Sequence, residues 1–379
     1  MFALSSLLSL NAYDIDINGF LNATAGKSDN KETLIAGYGT PNSSVANNNA
    51  DSVKFKPDSL MGLQLSSSIS NHFSATLQLV GRFQDDKAKL KMEWAYITYS
   101  IEHLQIQVGR YRPAVYMYSN TYDVAHSYLW TRLPIEVYDT VPITDLDGIN
   151  FIFDYEFDNE IVLSAKAYYG NRDESTTFNG IKFQATFDNT YGAELAVENE
   201  YVKMRFAYAH STISATFSNP IINLGLLGTL NLNTYPGLKL DNNKASFYSV
   251  GLNAGYSNII LASEIIHTNL EPSFAEEQTD SYYVLVGYNI NNFTPSITYS
   301  SKRVKYKNNT DAVANLVKGN EPDQRSITAG VRYDINPSTA LKVEWMRTDQ
   351  KHLKNSINPQ YKVSNSATNL YTLSLNFVF

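Results

Sequence analysis

The sequence predicts an all-β fold: a transmembrane antiparallel β-barrel of about 16 strands with an inward-folded third loop. Three observations carry that expectation. In the last nine residues, Tyr371, Leu373, Leu375, Phe377 and Phe379 share one parity, while Thr372, Ser374 and Asn376 take the other. Such alternation builds a strand with one apolar and one polar face. Second, connections between alternating runs are tight and long by turns. Third, no apolar run reaches the roughly 18 residues a membrane helix needs, although 43% of the chain is hydrophobic. A barrel escapes that requirement because half of each strand faces a polar lumen.

Residues 1–12 form a short apolar stretch ending on Ala12 and lack a basic start. They read as the remnant of a signal peptide, with 13–379 as a single barrel domain. Strands are then expected near 14–26, 57–69, 72–83, 90–100, 103–111, 147–156, 160–169 and 190–198. The second half gives 200–213, 245–256, 258–269, 280–290, 293–304, 324–335, 339–349 and 368–379. Tight turns fall at Ser70-Asn71, Ile101-Glu102, 157–159, Asn199, Ser257, Asn291-Asn292 and 336–338, rich in the Asn, Asp, Ser and Pro that turns favour. The other connections are 27–56, 84–89, 112–146, 170–189, 214–244, 270–279, 305–323 and 350–367, mostly long and polar. Short turns on one rim and long loops on the other, with an even strand count, describe a bacterial barrel better than a soluble sandwich.

Individual strands fit the dimensions. Phe73 and Phe83 lie on one face, and ten steps of ~3.3 Å tilted by ~40° span about 25 Å, the height of the apolar band. In the 324–349 hairpin, Ile327, Ala329, Val331, Tyr333, Leu341, Val343 and Trp345 take the lipid side. Thr328, Arg332, Asp334, Lys342 and Glu344 take the pore side. Two segments stand outside this scheme. Residues 181–187 alternate well, which either extends a hairpin above the membrane or raises the count to eighteen strands. Residues 221–233, with Leu-Gly-Leu-Leu-Gly, are too apolar for an exposed loop.

Composition narrows function. Twenty-seven Tyr suit interfacial girdles, and the absence of Cys removes disulfide, thiolate-metal and thiol-nucleophile chemistry. A net charge of −7 with no basic block argues against nucleic acid as a partner. The six histidines lack metal-ligand spacing, so no metal and no cofactor is expected. His210 and Ser211 are neighbours on a strand, point to opposite faces and cannot form a dyad together, so the chain does not read as an enzyme.

The third long connection should carry the function. It holds Tyr116, Tyr118, Tyr122, Tyr128, Trp130 and Tyr138 among Arg112, Asp123, Arg132, Glu136 and Asp139. A loop this aromatic must pack against something, and inside a barrel that surface is the inner wall. Asp123, Glu136 and Asp139 would then face Arg82, Arg110 and Arg112 across a constriction. The competing possibility is that Arg132 and Glu136 pair and pin the loop. Strict alternation places Arg110 and Arg112 in lipid, and a bulge at Gly109 would turn both inward. Strand charges such as Lys166, Glu194, Lys203, Arg205 and Glu264 read as generic lumen hydration.

Val108-Gly109-Arg110 before a long third loop, and Gly330-Val-Arg-Tyr-Asp-Ile-Asn-Pro-Ser-Thr-Ala-Leu-Lys-Val-Glu-Trp345, resemble the trimeric general porins of Gram-negative outer membranes. The terminal strand with Tyr371, Phe377 and Phe379 resembles their assembly signal. The resemblance implies an integral outer-membrane pore for passive diffusion of ions and small hydrophilic solutes, with loop three as the constriction. It also implies a homotrimer, contact with outer-membrane lipid and lipopolysaccharide, and delivery by the barrel assembly machinery. The acidic Pro-Glu-Phe-Gly-Gly-like loop motif of enteric porins is missing, which leaves open a solute-specific uptake channel. A closed barrel acting as adhesin or receptor is the remaining alternative.

Overall fold

A computed structural model describes residues 15–29, 53–84, 87–141, 143–178, 181–218, 220–223, 228–231, 233–234, 239–271, 277–306, 323–351 and 366–379. The expected leader at 1–12 and the Asn-rich stretch at 42–50 lie outside these residues. Along the chain run β1 (Ile15–Ser28), β2 (Leu60–Ser68), β3 (Phe73–Gln84), β4 (Lys87–Ile101), β5 (Leu104–Tyr111) and β6 (Leu146–Glu156). Then come β7 (Val162–Phe178), β8 (Ile181–Glu198), β9 (Val202–Phe217), β10 (Ile221–Asn223), β11 (Thr229–Asn231) and β12 (Leu240–Tyr256). The last are β13 (Ile259–Glu271), β14 (Glu277–Tyr288), β15 (Phe293–Tyr306), β16 (Asp323–Asn336), β17 (Thr339–Lys351) and β18 (Ser366–Val378).

Sixteen of these close into one antiparallel barrel, while β10 and β11 pair only with each other. Closure joins β1 to β18 from Phe20↔Val378 to Ser28↔Leu370. No barrel strand is left with an unpaired edge, which is the condition for placing a sheet in lipid.

The alternation read in the sequence is an inside-out pattern. Along β18, Leu373, Leu375 and Phe377 are 47%, 39% and 37% exposed, whereas Thr372, Ser374 and Asn376 are 4% or less. The same holds in the β16–β17 hairpin, where Ile327, Val331 and Val343 face out and Thr328, Lys342 and Glu344 are buried inside. Aromatics border both rims of the outer face. Phe293 and Tyr333 pack at 4.6 Å, and Tyr208 and Tyr248 at 5.1 Å.

The tight connections fall where expected, and several need a left-handed residue. Glu102, Glu160, Ser257 and Asn291 have φ of 39°, 62°, 54° and 53°. Residues 181–187 belong to an extended hairpin: β7 and β8 remain paired out to Phe178↔Ile181, so the count stays at sixteen. Irregular register near Gly170 and Asp188 bends that hairpin. The connection expected at 84–89 is short, because β3 runs to Gln84 and β4 begins at Lys87. Part of the apolar stretch 221–233 is the β10–β11 ladder, and residues 224–227 and 232 lie outside the described set.

One local feature differs from expectation. The register of β5 with β4 and with β6 is unbroken at Gly109, which instead has φ of 132° and sits against the Ala95 carbonyl. The bulge lies at Glu93, where Gln78↔Trp94 is followed by Leu79↔Met92. Arg110 therefore stays opposite Asp147, bonded to it through two contacts of 2.7 Å. That pair shares a side with Val108 and Ile149.

Candidate functional site: a loop folded into the barrel

Between β5 and β6 the chain leaves the wall and crosses the interior as loop three. It contains short 3-10 turns at Ser119–Thr121 and Ala125–Ser127 and one helical turn, α1 (Ile135–Tyr138), started by Pro134. Short-range bonds, such as those from the Ser119 amide to the Tyr116 carbonyl and from Tyr138 to Pro134, satisfy only part of this backbone, and most of it is buried. Buried amide groups need partners, and the barrel wall supplies them. Lys342 on β17 donates to the carbonyls of Ala125, Tyr128 and Trp130 at 2.5, 2.6 and 2.7 Å. Arg332 on β16 donates to His126 and Tyr128, and Arg205 on β9 donates to Ala114 at 2.6 Å.

Acidic wall residues hold the amide hydrogens. Glu264 on β13 accepts from the Met117 amide at 2.9 Å and the Tyr138 hydroxyl at 2.7 Å. Glu344 accepts from the Thr131 amide and hydroxyl at 2.9 and 2.8 Å. Of the strand charges read as generic hydration in the sequence, Arg205 and Glu264 are anchors of the loop, whereas Lys166 pairs with Glu194 and Lys203 with Glu198. Alternation says that such a residue points inward but not what covers it. The usable signal was the loop itself, a long aromatic segment without ladder partners of its own.

Apolar contacts reinforce the anchoring. Tyr116, Tyr128, Trp130 and Tyr138 pack with Phe247, Ile266 and Tyr283 of the wall into one buried cluster. Trp130 meets Tyr283 edge-on at 5.3 Å and donates its indole hydrogen to Thr298 at 2.8 Å. Burial pushes the Tyr118 hydroxyl up to about 12 and Tyr138 well above its ordinary value, so both phenols remain neutral.

The residues singled out in the sequence divide into four groups. Arg82, Arg112 and Asp123 come together with Glu93, which the sequence reading missed. Arg82 reaches Glu93 at 2.7 Å and Asp123 at 2.9 Å, while Arg112 reaches Asp123 at 2.7 Å and Glu93 at 3.2 Å. Burial opposes ionisation of Asp123, but Arg112 and Arg82 outweigh it and hold the carboxyl below its usual range. These charges touch directly, so Asp123 does not face Arg82 and Arg112 across an open gap. Arg110 pairs with Asp147 at 2.7 Å and also reaches the buried Asp145 at 3.5 Å, which Lys91 and Arg172 share.

Glu136, on α1, is buried and accepts from Ser300 and Gln324 at 2.7 Å each and from Ser326. Its pinning contacts run to the wall on β15 and β16. Arg132 pairs with Asp58 at 2.9 Å. Arg132 and Asp139 line a cavity of about 120 Å³ between loop three and the β1–β2 side, together with Asn22, Asp58, Tyr122 and Tyr138. Among the described residues, no group of His, Asp and Glu is arranged to hold a metal.

A closed sixteen-stranded barrel with an apolar exterior, a polar wall and a loop filling its middle defines an integral pore of the outer membrane. The family model for Gram-negative porins matches residues 3–353, and the chain belongs to that family. Solved porin structures share its architecture. OmpT of Vibrio cholerae in its trimer form has a TM-score of 0.59 at 11% identity, covering 97% of this chain and 100% of that one. The anion-selective porin of Comamonas acidovorans gives 0.58 at 10% identity, with 97% and 100% covered. OmpF of Salmonella typhi in complex with daunomycin gives 0.59 at 14%, with 97% and 98% covered. Among curated proteins, none matches the chain.

Proposed function

We propose that ions and small hydrophilic solutes diffuse passively through this pore by way of the slot between loop three and the β1–β2 wall. The observation that carries this is the cavity lined by Asp58, Arg132, Asp139, Tyr122 and Tyr138, where charges of both signs meet a loop otherwise packed to the wall. Arg132, bonded to Asp58 at 2.9 Å, supplies the basic side of the constriction and Asp139 the acidic side. Opposed charges in a narrow, partly dry gap give a strong local field. Arg82, Arg112 and Asp123 then set the loop's position, and Glu136 fixes its far end. On this reading the chain is a channel and not an enzyme.

A homotrimer fits the outer face. Tyr169, Tyr191, Tyr208, Tyr248, Tyr282 and Tyr299 all point outward on β7–β15, several of them over a third exposed. On β2–β4 the outward side chains toward the long-loop rim are Met61, Phe83, Leu90 and Met92. Tyrosines suit the membrane–water boundary, and a rim segment without them suits contact with protein. Lipid and lipopolysaccharide would contact the tyrosine-bearing arc, and the barrel assembly machinery would receive the terminal strand.

The tyrosines of the slot also favour a second reading, uptake of one solute class. Reversal potentials in a salt gradient, measured with and without candidate solutes, test both. Passive diffusion predicts a reversal potential that moves when Arg132 is changed to Glu. A solute-specific channel predicts current block by its solute. An unmoved potential without block contradicts the slot as the path.

A further inference from the structure

We infer that the inner wall holds a binding site for the apolar part of a small uncharged aromatic solute. It lies in the cavity between the root of loop three and strands β8, β9, β12 and β13. This deepens the pore reading and rests on it, because the site opens within the barrel interior. The cavity measures about 280 Å³. Val115 and Val141 of the loop form one side; Phe187, Ile213, Phe247 and Leu270 of the wall form the other.

These wall positions have lumen parity, where the barrel elsewhere carries polar groups. On β18 the corresponding inward residues are Thr372, Ser374 and Asn376. Between the large side chains on the β8–β12 wall stand alanines, including Ala209 and Ala245, so the space is not filled from the wall. Among the described residues, no Asp, Glu, Lys or Arg lines the cavity. An ionised group would lose its hydration there without a partner, so the bound part must be uncharged.

Thr140, His210, Ser246, Thr268 and Asn269 also line the cavity, and three further groups are placed for a hydroxyl. Thr190 and Ser211 share a hydrogen bond of 2.8 Å at the cavity wall. Tyr168 lines the cavity and is 4% exposed, and among the described residues its hydroxyl has no hydrogen-bond partner. A buried hydroxyl without a partner is unfavourable, and a ligand oxygen would relieve it. An apolar cavity of ~150 Å³ holds a benzene ring, so the volume here suits a two-ring phenol or one ring with a short alkyl chain.

The test uses the full chain in lipid nanodiscs and 2-naphthol as probe, read by equilibrium dialysis against empty nanodiscs. The wild type should bind saturably at one site per chain, beyond partitioning into lipid. Ala245→Phe fills the cavity and Ile213→Asp charges it; each should weaken binding at least about tenfold, by analogy with loss of a well-fitted apolar contact. Heat-modified mobility on gels confirms that both variants are folded, and a variant that is not folded is replaced by Ala209→Leu. Uptake equal to that of empty nanodiscs, or unchanged in the folded variants, overturns the site. A barrel that binds 2-naphthol yet passes no ions in planar bilayers would overturn the pore reading and leave the site standing.

Discussion

Asp123 accepts a hydrogen bond from Arg112 at 2.7 Å and another from Arg82 at 2.9 Å. One carboxylate thus ties the root of loop three to the β3 wall. Removing it leaves two guanidiniums close together, with Glu93 as their remaining carboxylate neighbour. Breaking a buried pair in this way costs about 3–5 kcal/mol. Asp123→Asn should therefore loosen the loop while the barrel stays closed, seen as protease cleavage within residues 113–145 and an unchanged heat-modified gel shift.

The same contact sets a pH dependence. The Asp123 carboxyl is held below its ordinary value, so its contribution is complete above the usual aspartate value of about 4 and lost as pH falls through the lower native one. The share of loop protection that Asp123 supplies should be level between about pH 5 and 8 and fall only in stronger acid. Asp123→Asn should remove this acid limb. A limb unchanged in the variant would assign it to another group.

Lys342 offers a sharper perturbation, because one ammonium serves three loop carbonyls. Lys342→Met keeps much of the volume and removes every donor. Each buried carbonyl left without a partner is worth about 1–3 kcal/mol. Open-channel noise should rise and mean conductance should increase, measured in planar bilayers.

At the seam, Gly19 and Phe379 exchange two backbone hydrogen bonds of 2.9 and 3.0 Å. A Cβ on Gly19 would come within 2.2 Å of the Phe379 ring. Gly19→Val should displace that ring and lower the yield of folded barrel, and Phe379→Ser should do so more strongly. Comparing folded and unfolded bands after refolding checks both; full folding of the two variants would remove the seam from the account.

Most of the barrel was legible in the sequence, because strand periodicity and turn chemistry are local properties. Even the bulge was readable. Outward apolar residues change parity from Leu90 and Met92 to Ile97 and Ile101, and Glu93 lies between. Arg110 needs no bulge at Gly109, because Asp147 on the next strand satisfies it where it is. The site was half legible. Loop three and its aromatic charge-rich content stood out, and Arg82, Arg112 and Asp123 do meet. Other contacts were hidden: Glu264, Lys342 and Glu344 reach the loop from strands far along the chain, and Glu93 joins the arginines at a bulge that alternation alone does not turn inward.

Selectivity separates the two arginine environments. Arg132→Glu, at the slot, should shift the reversal potential toward cations. Arg110→Glu, at the Asp147 pair on the side of Val108, should leave it in place. A larger shift from Arg110 would move the path away from the slot.

On the proposed reading, loop three, anchored by wall residues, narrows an otherwise open pore. Single-channel conductance of the wild type against a Glu136→Ala, Lys342→Met double variant tests it most directly. Ohmic current is expected in the wild type, and a clearly larger unit conductance in the variant. Equal conductance in the two, or no current in either, would contradict it.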